Sequence, residues 1–311
     1  MAILGLVASV AALYAASLTN SFSRGLDLPR EILVARGLLP PALPDEEERP
    51  NAQQLSQALA GLGYDLEEIG KGDREVPRLF LASLPADMDD IDEPAQRKAL
   101  FLRGLLPLVL KANETILAER RLLLDLAQRI AQGDRPTPAE GDWLVDLGRR
   151  YEVEDLDFLT LFNRVDVIPV SLALAQAAEE SGWGTSRFAR DGNALFGQGT
   201  INEEKGIVPT ERQGKGPYAV RRFGSLAEAV RSYTLNLNTH KAYRDFRQAR
   251  WRAREEGKDL DGLELAGTLS GYSARGEGYV ETIRTIIRKN GLAALDDARL
   301  SRRTLPQPMY R

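Results

Sequence analysis

The chain has 311 residues, with 41 Lys and Arg against 45 Asp and Glu, a formal net charge of −4, one histidine and no cysteine. That composition excludes a thiol nucleophile, a disulfide framework and thiolate-held zinc or iron–sulfur centres, and with His240 alone it excludes any site built on two imidazoles. Carboxylates and tyrosines remain as the principal reactive groups of a chain that is 43% hydrophobic and 28% charged, a globular composition with room for one large or two ordinary domains.

Residues 3–18, ILGLVASVAALYAASL, are uncharged and almost wholly apolar. They are short of the roughly 20 residues of a spanning helix and suit the core of an export signal. Met1-Ala2 supplies no basic residue ahead of that core, and Ala15 and Ser17 form only a weak cleavage site. The segment predicts export, the chain being either secreted or held at a membrane by an uncleaved anchor. The absence of cysteine is neutral on this point.

Residues 40–50, PPALPDEEERP, join four prolines to an acidic run and read as a linker. Residues 87–93, DMDDIDE, form an acidic loop before an apolar helical region that runs from Pro94 to about Gly133. Arg103 and Lys111 interrupt its apolar run, so the pattern predicts a buried or amphipathic helix and not a membrane span; Pro107 is expected to kink or split it. A proline-rich turn, Arg135 to Pro138, then leads into a helix through Trp143 to Tyr151.

The second half differs in charge. From residue 161 onward there are 24 Lys and Arg against 18 Asp and Glu, a net +6, whereas the preceding part carries −10. Residues 167–182, VIPVSLALAQAAEESG, predict a helix with Pro169 in its first turn and Gly182 at its end. Apart from Ser171, Gln176 and the terminal Glu179-Glu180-Ser181, every position within it is apolar or small, which places it inside a domain. Between Gly197 and Phe223 the chain is rich in Gly and β-branched residues, with Tyr218 to Phe223 as a strand and Gln213-Gly-Lys-Gly as a hairpin turn. Ser225-Leu-Ala-Glu228 is a capping box that opens a helix to about Asn238. Further helices follow, the last ending at Asn290-Gly291; the basic cluster Arg244 to Arg254 reads as a solvated helix face or as a contact for an anionic polymer.

Glu179 and Glu180 end the apolar helix, where the macrodipole opposes a negative charge. Apolar surroundings and a like-charged neighbour push the carboxyl pKa in the same direction. A glutamate so placed stays protonated near neutrality, as a general acid must. Adjacent helical residues point about 100° apart, so one of the two faces any given cleft. The competing reading is a solvated pair at an exposed helix end.

The run Ala175-Gln-Ala-Ala-Glu-Glu180-Ser-Gly-Trp-Gly184, followed by Ser186-Arg-Phe and Asn193-Ala-Leu-Phe-Gly197, resembles the signature of the bacterial glucosaminidases, peptidoglycan hydrolases of glycoside hydrolase family 73 with a lysozyme-like fold. Over about residues 74–297 the chain is similar to the Bax protein family, through Val76-Pro-Arg-Leu-Phe-Leu, Leu105-Leu-Pro-Leu-Val-Leu and Asn236-Leu-Asn-Thr-His-Lys-Ala-Tyr-Arg-Asp-Phe-Arg. The resemblance implies a mainly α protein: a lysozyme-like α+β catalytic domain with a small β-hairpin lobe, preceded by a helical N-terminal region.

With the readings above it divides the chain into a signal or anchor (1–20), which for a wall substrate implies the periplasm or cell envelope and inner-membrane association, a linker with a helical segment (21–73), a helical region (74–160), the glucosaminidase domain (161–297) and a tail (298–311). By the same resemblance Glu180 is the catalytic acid, with Glu179 its neighbour among substrate-binding residues. The second carboxylate maps to Glu211 of Thr210-Glu-Arg-Gln-Gly214, with Glu203 and Glu204 as rivals. Tyr233 and Tyr272 take the places of two family tyrosines, or are plain core residues. The family Asp before the first of them is Ser232 here, so no role carries over for it.

Trp183 and Phe196 stack on sugar faces or pack the cleft floor, and Asn193 bonds an acetamido group or forms a turn. The implied activity is an endo-β-N-acetylglucosaminidase cleaving GlcNAc-β-1,4-MurNAc bonds in peptidoglycan glycan strands, with no metal, no cofactor and no nucleic-acid partner. A muramidase or lytic transglycosylase on the same fold is the rival enzyme. A catalytically silent wall-binding or scaffolding protein is the rival of another kind. The sequence sets no oligomeric state.

Overall fold

In chain order α1 (Ala52–Gly61) and α2 (Leu66–Gly70) lead to the long α3 (Pro94–Ala131), α4 (Pro138–Arg150), α5 (Phe158–Arg164), α6 (Val170–Ser181) and α7 (Arg187–Gly192). The short strands β1 (Gly199–Thr200), β2 (Gly206–Ile207) and β3 (Ala219–Arg221) come next, then α8 (Leu226–Thr239), α9 (Arg244–Glu255), α10 (Gly262–Ala266) and α11 (Glu277–Lys289). The computed structural model describes residues 49–201, 206–209 and 218–302. The apolar segment 3–18, most of the proline-rich linker, the turn at 213–216, and Glu203, Glu204 and Glu211 lie outside the described residues. Among the described residues no helix is long and apolar enough to cross a membrane. The fold is mainly α with one small antiparallel sheet, in the order β1-β3-β2 with Gly199 opposite Val220 and Ile207 opposite the same residue.

Two compact units share the chain. Among its described residues the first takes 49–112, 168–201, 206–209, 218–234 and 252–302, and its centre is α6. Residues 170–178 of α6 are all buried, because Leu172 and Leu174 alternate with alanines small enough to let α10, α11 and the 3-10 turn Leu292–Leu295 approach closely. Each buried leucine contributes roughly 1.5–3 kcal/mol. The one polar side chain at its start, Ser171, donates from Oγ to Asp296 Oδ2 at 2.7 Å, while its N–H reaches Oδ1 at 2.7 Å. A parallel bridge between Val76 and Leu300 ties the start of this unit to its end.

The second unit takes Asn113–Val167 and Leu235–Trp251 among its described residues. Its core joins Leu123 and Leu126 of α3 to Leu144 and Leu147 of α4 and to Leu161 and Phe162 of α5. Inside it the buried Glu119 carboxylate accepts from Arg150 Nη1 at 2.6 Å and from the Tyr151 hydroxyl at 2.9 Å.

Several sequence expectations need correction. Pro107 does not split α3, which is continuous from Pro94 to Ala131. The flanking Leu105, Leu106, Leu108 and Val109 are at most 3% exposed, and their packing offsets the lost backbone hydrogen bond. Pro169 is the N-cap of α6 and not a residue of its first turn. At the start of α8 the Glu228 N–H reaches Ser225 Oγ as expected, but the Glu228 carboxylate turns back to the Gly224 N–H at 2.9 Å. The basic helix α9 is not simply solvated, because Arg247 and Arg250 are 5% and 1% exposed. Arg250 donates to the carbonyls of Asp166, Val167 and Asn163 and to Asn238 Oδ1, closing a polar knot inside the second unit.

Candidate active site

The end of α6 sets the candidate site. Gly182 closes the helix in the left-handed region at φ 58°, and Trp183 follows at φ 59°. The buried Ser181 hydroxyl donates to Ala177 O at 2.6 Å and accepts the Gly184 N–H at 2.9 Å, so the chain reverses tightly beneath Glu180. In Glu-Ser-Gly-Trp-Gly each small residue therefore serves the turn that carries the acid. Half-buried Trp183 lies edge-on to Phe101 at 5.8 Å, with Lys98 Nζ 4.9 Å from its ring centre.

Glu180 is half-buried, and its carboxyl pKa is raised. Burial is the main cause and the Glu179 charge adds to it, whereas a hydrogen bond from the Tyr279 hydroxyl and the Arg275 charge pull the other way. Glu179 itself pairs with Arg275 Nη2 at 2.5 Å. The two glutamates thus differ as their positions on the helix require: one meets a surface arginine, and the other turns toward buried tyrosine.

A chain of hydrogen bonds fixes the acid from behind. Fully buried Gln176 donates from Nε2 to the Tyr279 hydroxyl at 2.9 Å and accepts from the Tyr233 hydroxyl at 2.7 Å. With its lone pair engaged by Gln176, the Tyr279 hydroxyl offers its proton to Glu180. Burial and the Glu180 charge both raise the Tyr279 pKa, so it remains a neutral donor. The aromatic rings around this chain stack: Phe196 on Tyr233 at 3.9 Å and Tyr272 on Tyr279 at 5.2 Å. The Tyr272 hydroxyl donates to Phe196 O at 3.1 Å, closing the ring of contacts. Gly197, at φ 62°, comes next; a Cβ there would stand 2.8 Å from Glu180 Oε2.

The structure therefore brings Glu179, Glu180, Phe196, Tyr233 and Tyr272 into one cluster. Tyr233 and Phe196 are buried as its packing, while Tyr272 is half-buried at its edge. Asn193 is placed differently: it caps α7 at φ 51°, donates to Phe223 O at 3.3 Å and is 4% exposed, a turn-forming position whose Oδ1 is unpartnered. Ser232 Oγ lies 3.4 Å from Arg221 Nη1. Glu211, expected as the second carboxylate, lies outside the described residues, as do its rivals Glu203 and Glu204.

Sequence reasoning missed Gln176 and Tyr279. Gln176 did carry a signal, being a polar residue in an apolar helix, four before Glu180 and hence on the same face. Tyr279 repeats at four-residue spacing with Ile283 and Ile287 and so reads as ordinary core. Among the described residues no group of His, Asp and Glu could hold a metal ion.

Residues 157–292, which include the whole cluster, match the family model Glucosaminidase, described as mannosyl-glycoprotein endo-β-N-acetylglucosaminidase. The protein named Protein bax, from Escherichia coli strain K12, is 36% identical over 204 residues, covering 64% of this chain and 71% of that protein. No solved structure matches the chain.

Proposed function

Because the chain belongs to the Bax protein family and carries a glucosaminidase domain, and is thereby a glycoside hydrolase, we propose that it is a peptidoglycan hydrolase, an endo-β-N-acetylglucosaminidase that cuts the β-1,4 bond after N-acetylglucosamine. The observation that carries the reading is the Glu180 carboxyl, half-buried and raised in pKa, at the end of a buried helix and held by Tyr279. A sealed structural glutamate has no access to substrate, and a solvated one has no reason to keep its proton.

In the proposed reaction Glu180 donates its proton to the glycosidic oxygen as the bond from that oxygen to the anomeric carbon breaks. Positive charge develops on the sugar and is stabilised by Glu211 or by the substrate's own acetamido oxygen; water then completes hydrolysis. Gln176 and Tyr233 act behind Tyr279, so they position the acid and touch no substrate. Tyr272, half-buried beside the same cluster, and Trp183 at the turn are the aromatic faces assigned to the sugar. The working domain in this reading is 161–297. A peptidoglycan substrate places the protein outside the cytoplasm, with residues 1–20 as the export signal or anchor.

Mass spectrometry of digested sacculi tests the bond. Fragments with reducing-end GlcNAc are expected; reducing-end MurNAc or 1,6-anhydro-MurNAc ends would overturn the assignment in favour of a muramidase or a lytic transglycosylase.

A further inference from the structure

The second unit holds a cavity of about 420 Å³ lined by Glu152, Arg164, Thr239, His240, Lys241, Arg244 and Arg247. None of these residues belongs to the Glu180 cluster, and the volume is within the range of small-ligand sites, about 300–1,000 Å³. Four permanent cations therefore face one carboxylate, and none of them makes an ion pair within 4.0 Å among the described residues.

Two of the cations, Arg247 and Arg164, are held by backbone carbonyls. Arg247, 5% exposed, uses Nη1 on the carbonyls of Leu237 and His240 at 3.0 and 2.9 Å. Its Nε and Nη2 have no hydrogen-bond partner among the described residues. Arg164 is fixed by the carbonyls of Tyr151 and Glu152, both at 2.7 Å. Burial, with Arg164 and Arg244 nearby, pushes the Arg247 guanidinium down to about 10, so an anion here would be welcomed by charges that now repel one another.

At the rim Lys241 and Arg244 are exposed, and His240 Nδ1 accepts the Ala242 N–H at 3.3 Å, which leaves Nε2 as the ring's donor when neutral. Glu152 is held at φ 54°, a backbone region that residues other than glycine seldom occupy. An all-phosphate polymer would meet that carboxylate as a repulsion. A ligand with several carboxylates and one ammonium satisfies both signs.

We propose that this cavity is a second binding site that takes an anionic, amino-bearing peptide, the stem-peptide class that hangs from the glycan strands. The choice of stem peptide rests on the peptidoglycan reading; the cationic cavity does not. Engaging the peptide as well as the sugar chain would let the protein discriminate between substituted and bare strands.

The test is calorimetric titration of the full chain with sugar-free N-acetyl-alanyl-γ-glutamyl-diaminopimelate, which carries three carboxylates and one ammonium. Saturable binding is expected. It should weaken at least tenfold in the Lys241→Glu, Arg244→Glu double variant, whose changes are both on exposed side chains and whose fold is checked by circular dichroism. Acetylating the remaining amine of the probe should weaken binding severalfold, and Glu180→Gln should leave it unchanged. Absence of saturable binding, equal binding by the double variant, or binding of short polyphosphate in preference to the peptide would overturn the proposal. A chain that digests glycan but does not bind the peptide refutes this site alone. One that binds the peptide but releases no sugar fragment refutes the glycosidase reading and supports this site.

Discussion

Replacing Gly197 with alanine perturbs the acid without touching it. The backbone there has φ 62°, and the added Cβ would lie 2.8 Å from Glu180 Oε2. Ordinary contact begins at 3.4 Å, so the carboxyl must retreat by about 0.6 Å or the loop must yield. A left-handed conformation costs an L-residue roughly 1–2 kcal/mol, and a misplacement approaching 1 Å at a reacting group costs up to about 10²-fold in rate. Gly197→Ala is thus expected to lose about 1–2 kcal/mol of stability and roughly ten- to a hundredfold in kcat, followed as release of soluble fragments from sacculi with thermal melts in parallel. Gly72 supplies the control: its φ is 81° and no atom lies within 4 Å of an added Cβ, so Gly72→Ala should show the strain without the loss of rate. A Gly197→Ala enzyme with a lowered melting temperature but a rate within twofold of wild type would refute the placement of the acid against this loop.

Tyr279→Phe removes the hydroxyl that steadies the charged form of Glu180, so the acid's pKa should rise and the alkaline limb of the kcat/KM profile should move to higher pH; an unmoved limb would contradict the hydrogen bond. The same change leaves Gln176 Nε2 unpaired in the interior, at a cost of about 1–3 kcal/mol in denaturant unfolding. Burial raises the Asp296 carboxyl to about 6, so the folded chain holds that proton more tightly than the unfolded chain does. Its contribution is therefore fully present below about pH 4 and is lost as pH rises through about 6, a change of about 2–3 kcal/mol. Asp296→Asn should flatten that part of the stability profile in urea titrations, and an unchanged slope between pH 4 and 7 would contradict it. Arg250→Met strands the carbonyls of Val167 and Asn163 and Asn238 Oδ1 inside the second unit, while Asp166 O keeps its bond from Asn238 Nδ2, and should destabilise the chain by roughly 3 kcal/mol or more; a melt equal to wild type would show that water takes over those acceptors.

The acid and its helix were legible because the forces that set them are local. An apolar run can only be buried, Gly182 can end it, and a carboxylate at its last turn meets both the helix dipole and low polarity. The adjacent Glu179 was visible too, but its separation in role from Glu180 depends on Arg275, 96 residues away, which no spacing rule reaches. Tyr279 was hidden for the same reason: its periodicity is that of core, and only the meeting of α11 with α6 turns its hydroxyl into a donor. Pro107 does not split its helix because leucines bury both sides of it, a tertiary effect that local propensity does not contain. Arg247 and Arg250 read as solvated charges in a basic run, yet Arg247 turns back onto the carbonyls that end the preceding helix and Arg250 onto carbonyls of the distant segment Asn163 to Val167. Of the β-lobe the residues showed one strand, Tyr218 to Phe223, and a hairpin turn, and not the other two strands of the sheet, since Gly-rich strands of two or three residues carry little pattern.

The central claim is that Glu180 is the acid of a glycosidase. Purified wild-type and Glu180→Gln chains should be compared for release of soluble muropeptides from sacculi, with equal thermal melts as the check on folding. The amide cannot donate the proton, so a fall of about 10²–10⁴-fold is expected. A Glu180→Gln chain that digests sacculi at the wild-type rate would contradict the account.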